Sequence, residues 1–556
     1  MRPQVFGMAT RVAVVDRDLC NPRKCALECI GYCPVNRNGK ECIALSEGKD
    51  IAVLSEELCS GCGICVKVCP FHAIDVVNLV ARVEEKLIYS YGRNGFDLYG
   101  VALPRKGIIG IVGENGCGKT TNVKLITGTA KPKNLFSKEV KEHFASADFK
   151  RVAVKPQELS SKLKGKVGAL LKRIDEAGRL KGLRQALDLD DLATRDFGEL
   201  SGGELQRVVI AAVLCRDKDV FVLDEPFAFL DYAYRIRLAQ YLREHLAEKQ
   251  VLVVEHDLSL MSYLCDCAYI LFGAPGAYGI VSQPYATDRA VNMFLEGFIE
   301  PENIRFRGAI KYKRFESERR QNPVASIPPL EVARGSFKLS NCRDIPLFEG
   351  EVVGVAGPNG TGKSTLLTEL KKVFESASLK PQLLERSDEP VASFLSADSP
   401  FKESFVRQMN LQRLEWLPLR KLSGGELQKA ELFRALARDS ALYLLDEPTN
   451  MMDVPGRIAL SKLLKEKAVT DCCTVVVVDH DLEFLLNTVD RLVVFGGEPA
   501  RRGVVEGVFG KDEGVRLLLS RFELSYRRDG ETNRLKLNKQ GSVKDRELKQ
   551  TGKFVE

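Results

Sequence analysis

Two octapeptides have the composition needed to hold a polyphosphate: Gly113-Glu-Asn-Gly-Cys-Gly118-Lys119-Thr120 and Gly357-Pro-Asn-Gly-Thr-Gly362-Lys363-Ser364. Their glycines let backbone N–H groups turn inward around phosphate oxygens, at the start of a helix whose dipole favours negative charge. Lys119 and Lys363 would reach the β- and γ-phosphates, and Thr120 and Ser364 would ligate Mg²⁺. Asp224-Glu225 and Asp446-Glu447 each close an apolar run. The Asp faces the Mg²⁺ shell, and the Glu is placed to polarise an attacking water. His256 and His480 lie 31 and 33 residues beyond those glutamates, each after another apolar strand. A lone histidine there is more often structural. Its recurrence in both copies favours a role in holding the γ-phosphate and the Glu in line.

A second chemistry is written in cysteine. Nine of the 16 cysteines fall within the first 69 residues. Cys59-Ser-Gly-Cys62-Gly-Ile-Cys65-Val-Lys-Val-Cys69-Pro70 has the C-x2-C-x2-C-x3-C-P spacing of bacterial-type [4Fe–4S] ferredoxins. The close triplet wraps one cubane, and the fourth cysteine serves the other. Cys20, Cys25, Cys29 and Cys33 form a looser run before Pro34. Cross-ligation assigns Cys20, Cys25, Cys29 and Cys69 to one cluster and Cys33, Cys59, Cys62 and Cys65 to the other. Cys42 is left over, as a small buried residue or an incidental thiol. Zinc rarely uses this spacing, and a secreted disulfide module does not fit a chain of this size that lacks an apolar leader.

These residues need strands before them and helices after them. Ile108–Val112 and Val352–Ala356 precede the phosphate loops, and Phe221–Leu223 and Tyr443–Leu445 precede the paired carboxylates. At 556 residues, 45% apolar and 28% charged, the chain can bury several cores. It holds no run of ~18 uncharged apolar residues, so a soluble, cytoplasmic protein without a membrane part is expected. The net charge of +7 is uneven. Residues 303–321 carry seven Lys/Arg against two acids, and 526–556 carry nine against five, which suggests contact with a polyanion.

Leu200-Ser201-Gly202-Gly203-Glu204 and Leu422-Ser423-Gly424-Gly425-Glu426 complete an ordered set of motifs. This pentapeptide is the signature of ATP-binding-cassette (ABC) ATPases, which both halves resemble. The resemblance implies that Ser201, Gly202 and Gly203 contact the γ-phosphate held by the opposite half, as do Ser423, Gly424 and Gly425. Gln157 and Gln382, each in Lys-Pro-Gln, match the Mg²⁺- and water-sensing loop. Asn115, Gly116 and Thr121, with Asn359, Gly360 and Thr365, join the implied nucleotide contacts. Head-to-tail pairing then gives two composite sites. Site one pairs Lys119, Asp224, Glu225 and His256 with Ser423, and site two pairs Lys363, Asp446, Glu447 and His480 with Ser201. From phosphate-loop Lys to signature Ser is 82 residues in the first half and 60 in the second, so cassette one carries an insert. Residues 137–144 read as a capped helix within it.

Twin cassettes behind a double-cluster module resemble the RNase L inhibitor family, the iron–sulfur ABC ATPases that recycle ribosomes in archaea and eukaryotes. Val12-Ala-Val-Val-Asp16, Tyr91-Gly-Arg-Asn-Gly-Phe96, Pro301-Glu-Asn-Ile-Arg-Phe-Arg307 and Gly541-Ser-Val-Lys-Asp-Arg546 carry the likeness outside the motifs. It implies an α/β fold with two P-loop cassettes behind a ferredoxin-like α+β domain packed beside cassette one. The expected domains are 1–78 (iron–sulfur), 79–300 (cassette one, insert near 131–150), 301–325 (basic hinge), 326–515 (cassette two) and 516–556 (basic C-terminal hinge). It implies ATP, Mg²⁺ and two [4Fe–4S] clusters, and stacking of Tyr91 and Phe96 on adenine, with Phe337 a weaker counterpart in site two. The implied partners are the ribosome and its small subunit, a release factor or Pelota, and initiation factors. The chain is expected to act as a monomer whose closing cassettes swing the cluster module against the factor. An ATP-gated electron-transfer protein is the alternative, without a flavin motif or third cluster to support it.

Three departures from the family pattern stand out. The insert after Thr129 is abbreviated. Phe227-Ala-Phe-Leu-Asp231 and Thr449-Asn-Met-Met-Asp453 replace a Ser-rich run ending in Tyr-Leu-Asp. The first seven to ten residues look like an extension, with Met8 an alternative start.

Overall fold

The computed structural model describes residues 10–15, 19–46, 51–55, 58–79, 86–92, 95–157, 164–312, 322–395 and 398–556. Met8, Asp16, Arg93, Asn94 and residues 313–321 of the first basic segment lie outside them. Continuous apolar runs such as Gly107–Gly113 and Val352–Ala356, buried along their whole length, suit strands covered on both faces. Cassette one places them in a nine-stranded sheet. Its parallel run is Cys267–Ala274, Gly107–Gly113, Gln250–Val254, Val220–Asp224 and Val152–Lys155, in that spatial order. Cassette two repeats the run in an eight-stranded sheet as Arg491–Glu498, Val352–Ala356, Thr474–Val478, Leu442–Asp446 and Ser378–Lys380. Phosphate loops, carboxylates and histidines all leave the carboxyl ends of these strands, where open α/β sheets bind ligands.

The insert occupies one place. The helix after the first phosphate loop ends at Ile126 and the next strand starts at Val152, whereas in cassette two the same gap runs from Val373 to Ser378. The α-helix Lys138–Ser146, with Ser137 accepting from the Val140 N–H as its cap, and the 3-10 turn Phe149–Arg151 occupy it.

Two expected boundaries move. Pro323–Ile327 already pairs with Ile345–Phe348, so cassette two begins inside the range 301–325. The division at 515/516 falls within the helix Lys511–Arg521, which packs on the strand Arg491–Glu498. Charge marks surface rather than element ends, which is why the basic composition misplaced both. The C-terminal segment is folded: Tyr526–Arg528 pairs with Leu535–Leu537, and the helix Val543–Gln550 follows. Leu535 braces the cassettes through the backbone of one residue. Its N–H donates to Glu483 of cassette two at 2.9 Å, and its carbonyl accepts from Ser259 of cassette one at 2.6 Å. Arg534, fully buried, reaches Asp288 at 3.1 Å.

The N-terminal module is built from the antiparallel pair Thr10–Val15 and Ile74–Leu79, the hairpin Ile43–Leu45/Ala52–Leu54, and short helices Glu28–Gly31 and Ile64–Val68. Four of the ten buried residues at its centre are cysteines. The module also reaches cassette two. Phe71 packs edge-on to Trp416 of cassette two, ring centroids 5.6 Å apart, so the module touches the helical arm of that cassette. Leu19, Phe71 and Ala73 join the apolar core that runs through both cassettes.

Candidate functional site

Each phosphate loop ends in a left-handed glycine that opens a helix: Gly118 at φ 95° before Lys119–Ile126, and Gly362 at φ 92° before Lys363–Val373. A Cβ on Gly118 would lie 2.7 Å from the Phe96 ring, and one on Gly362 would lie 2.8 Å from the Phe337 ring. The two aromatics are therefore equivalent wedges, and Phe337 is a full counterpart of Phe96. Tyr91, by contrast, is 44% exposed, and its hydroxyl lies 3.4 Å from Thr121 Oγ1. Losing one ring's stacking costs about 1 kcal/mol. Phe96→Ala and Phe337→Ala are each expected to raise KM for ATP about fivefold with little change in kcat, read by steady-state phosphate release.

The lysines bend back over their loops. Lys119 Nζ donates to the carbonyls of Gly113 at 2.8 Å and Glu114 at 3.0 Å. Lys363 Nζ donates to those of Gly357 at 2.9 Å and Pro358 at 2.7 Å. Burial lowers the ammonium pKa at both, to about 8 for Lys363.

The other half of each site comes from the opposite cassette. The backbone N–H of Asn115 donates to Asp453 at 2.9 Å, and its side-chain amide to the Met451 carbonyl at 3.2 Å. Asn359 mirrors this, with Asp231 at 2.9 Å and the Phe229 carbonyl at 3.2 Å. The unusual residues after the glutamates thus leave the cross-contact intact, because it runs through carbonyls and an aspartate. Phe229 and Met451 adopt left-handed backbone, φ 61° and 59°, to present those carbonyls. Signature glycines sit against the same atoms. A Cβ on Gly425 would fall 3.0 Å from the Asn115 amide, and one on Gly203 would fall 3.6 Å from that of Asn359. Ser201 and Ser423 cap the helices Gly202–Leu214 and Gly424–Leu436 in reciprocal capping boxes with Glu204 and Glu426.

Between the loops lie the acids and bases. His256 Nε2 is 3.6 Å from Glu225, and His480 Nε2 is 3.7 Å from Glu447. Both imidazole nitrogens are buried without a hydrogen-bond partner. Burial, then Lys119 for His256 and Lys363 for His480, holds the two histidines neutral, well below the usual pKa. A neutral imidazole with a free nitrogen beside a carboxylate suits a γ-phosphate oxygen. Gln157 donates to Glu225 at 2.8 Å, and Gln382 hydrogen-bonds Glu447. Desolvation, then the neighbouring Asp446, pushes Glu447 up to about 7, and Glu225 is raised likewise beside Asp224. One oxygen of Asp446 is buried without a partner while Ser364 hydrogen-bonds the carboxylate. A hard carboxylate beside a hydroxyl fits Mg²⁺, and Asp224 with Thr120 provides the same donor types.

Both glutamates have left-handed backbone, φ 49° at Glu225 and 44° at Glu447, a strain of ~1–3 kcal/mol. What holds them was not anticipated from sequence. Lys155 and Lys380, each 1% exposed, donate to the carbonyls at this bend. Gln206 and Gln428 from the signature helices join them. The repeated Lys-Pro-Gln and Leu-Ser-Gly-Gly-Glu-Leu-Gln were the available signals. Arg307 was also missed. This hinge residue pairs with Glu114 at 2.7 Å, and loop two, with Pro358 at the matching place, has no carboxylate there to form the same pair. No spacing rule could have found that pair.

In the module, the Cys29 thiol is pushed up to about 12 by burial, then by Cys69, Cys20 and Cys25 around it. Cys65 is raised to about 11 by burial, then by Cys59 and Cys62. Cys33, Cys59, Cys62 and Cys65 line one cavity. Among the described residues no group of His, Cys, Asp or Glu converges as a single-ion site. Thiols set apart around a cavity fit a cubane's corners instead. Cys42 is no incidental thiol: it lines that cavity, and burial with Cys33 and Cys59 beside it raises it to about 12.

Comparison with known proteins agrees with this geometry. A family model described as "ABC transporter" matches residues 99–228 and 368–450. "Possible Fer4-like domain in RNase L inhibitor, RLI" matches 10–41, and "4Fe-4S binding domain" matches 52–75. An uncharacterised ABC transporter ATP-binding protein of Methanocaldococcus jannaschii is 38% identical, the alignment covering 99% of this chain and 98% of that one. Translation initiation factor RLI1 of Saccharomyces cerevisiae is 33% identical, covering 98% of each. A chain in a model of ribosome-bound archaeal Pelota and ABCE1 superposes with a TM-score of 0.92 at 37% identity, covering 99% of this chain and all of that one. Matched across nearly its full length, cassettes and cysteine module alike, the chain belongs to the RNase L inhibitor (ABCE1) family of iron–sulfur ABC ATPases.

Proposed function

We propose that this chain is an ATP-driven ribosome recycling factor. It splits ribosomes after termination or rescue and stays on the small subunit until hydrolysis. One observation carries the reading: each phosphate loop is completed by the opposite cassette, while the cysteine module rests on the arm of cassette two. Opening or closing the cassettes therefore moves the surface on which the module sits. The relatives support the target. Yeast RLI1 is named a translation initiation factor, the solved likeness is bound to a ribosome with Pelota, and another, a ribosome recycling factor, is in complex with a ribosomal stalk protein. A release factor or Pelota and initiation factors are the expected partners, in the cytoplasm. Among the described residues no helix is long and apolar enough to cross a membrane.

In this reading Glu225 and Glu447 polarise the attacking water, and His256 and His480 hold the γ-phosphate beside them. Lys119, Lys363 and the loop amides bind phosphate, and the signature residues close over it. Mg²⁺ held by Thr120, Ser364, Asp224, Asp446, Gln157 and Gln382 would neutralise phosphate charge. Two [4Fe–4S] clusters, on Cys20, Cys25, Cys29 and Cys69 and on Cys33, Cys59, Cys62 and Cys65, would stiffen a module with a small core. The test is light scattering with anaerobically purified protein, matching ribosomes, release factor or Pelota, and ATP. A fall that needs both factor and ATP is expected. No fall from brown, ATPase-active protein would overturn recycling.

A further inference from the structure

The two Lys-Pro-Gln lysines occupy an unusual place for a charge. Lys155 ends the strand Val152–Lys155 and Lys380 ends Ser378–Lys380, each on the edge strand beside the strand that delivers the paired carboxylates. Neither ammonium reaches solvent. Lys155 Nζ donates to the carbonyls of Asp224 at 2.7 Å and Glu225 at 3.0 Å. Lys380 Nζ does the same to Asp446 at 2.8 Å and Glu447 at 3.4 Å. A buried ammonium aimed at two successive carbonyls fixes the peptide between them. That peptide belongs to the left-handed glutamate, whose bend places its carboxylate against Gln157 or Gln382, two residues beyond the same lysine.

We propose that Lys155 and Lys380 are positioning residues for hydrolysis: each pins the strained backbone of the water-polarising glutamate and ties it to the seating of the Gln loop. The lysine touches neither nucleotide nor water, and acts through Glu225 or Glu447. The inference rests on the role proposed above for those glutamates. A shared strand end thus carries two messages. Gln157 and Gln382 meet the glutamate side chain, and Lys155 and Lys380 meet its backbone.

The test uses the full-length holoprotein and steady-state ATP hydrolysis, with Lys155→Met and Lys380→Met combined. Methionine keeps all but the last atom of the lysine side chain's length and removes the donor. Displacing the carboxylate by even part of an ångström is expected to lower kcat by about 10²-fold, with KM within about twofold. Lys155→Gln with Lys380→Gln, which restores a neutral donor, should recover part of that loss, and serves in its place if the methionine protein does not fold. The decisive arm adds Glu225→Gln and Glu447→Gln. If the lysines act through the glutamates, the combined protein is no slower than the glutamate variant alone. Multiplying losses, a raised KM at unchanged kcat, or turnover within twofold of the parent would overturn the proposal. Failure of the underlying reading looks different: the glutamate variant alone would then keep its turnover.

Discussion

Replacing Glu225 and Glu447 together by glutamine is expected to lower ATP turnover by about 10³-fold while leaving closure intact, the middle of the range for loss of a positioned base. The amide keeps an oxygen for the Gln157 and Gln382 contacts but cannot draw a proton from water. It also removes a buried charge that Asp224 and Asp446 oppose, so the closed arrangement is relieved rather than disturbed. ATP-loaded variant should therefore accumulate on the small subunit, seen by co-sedimentation, after a single round of splitting. Multi-round recycling at the parent's rate would refute the water-polarising role.

The second large effect concerns the cysteine module. Cys25→Ser and Cys62→Ser each strike one proposed cluster at a site that is not deeply buried. Iron and labile sulfide should drop by about half in each, since each variant loses one of two [4Fe–4S] groups. With four of the ten described buried residues at its centre already cysteine, the module has little apolar packing to fall back on. Ribosome splitting is expected to fall below about a tenth of the parent, with basal ATPase within about twofold, because the cassettes carry their own cores. Splitting that survives with half the iron would show that the module works without that cluster.

The motifs were legible because they repeat. A phosphate loop, a Glu, a His and a signature in the same order twice fix both cassettes and their head-to-tail pairing. The Cys59–Pro70 spacing likewise marks the module. What stayed hidden depends on juxtaposition. Lys155 and Lys380 read as ordinary strand-end lysines until the sheet sets them beside the carbonyls of Asp224 and Asp446. Arg307 and Glu114 are nearly two hundred residues apart, and only the hinge path joins them. Composition misled at the C-terminus, where the basic run hides buried Arg534 and the brace at Leu535. Phe229 and Met451 depart from the family's Ser-rich run, although the contact they make needs only a carbonyl.

Trp416 is the chain's single tryptophan, half exposed on the arm of cassette two and edge-on to Phe71, which follows Cys69 by two residues. A [4Fe–4S] cluster absorbs broadly in the near ultraviolet and, if bound this close, would quench the indole. On the proposed recycling mechanism, unlabelled tryptophan fluorescence would then serve as an internal optical gauge, expected to brighten if the module departs and to darken if it returns.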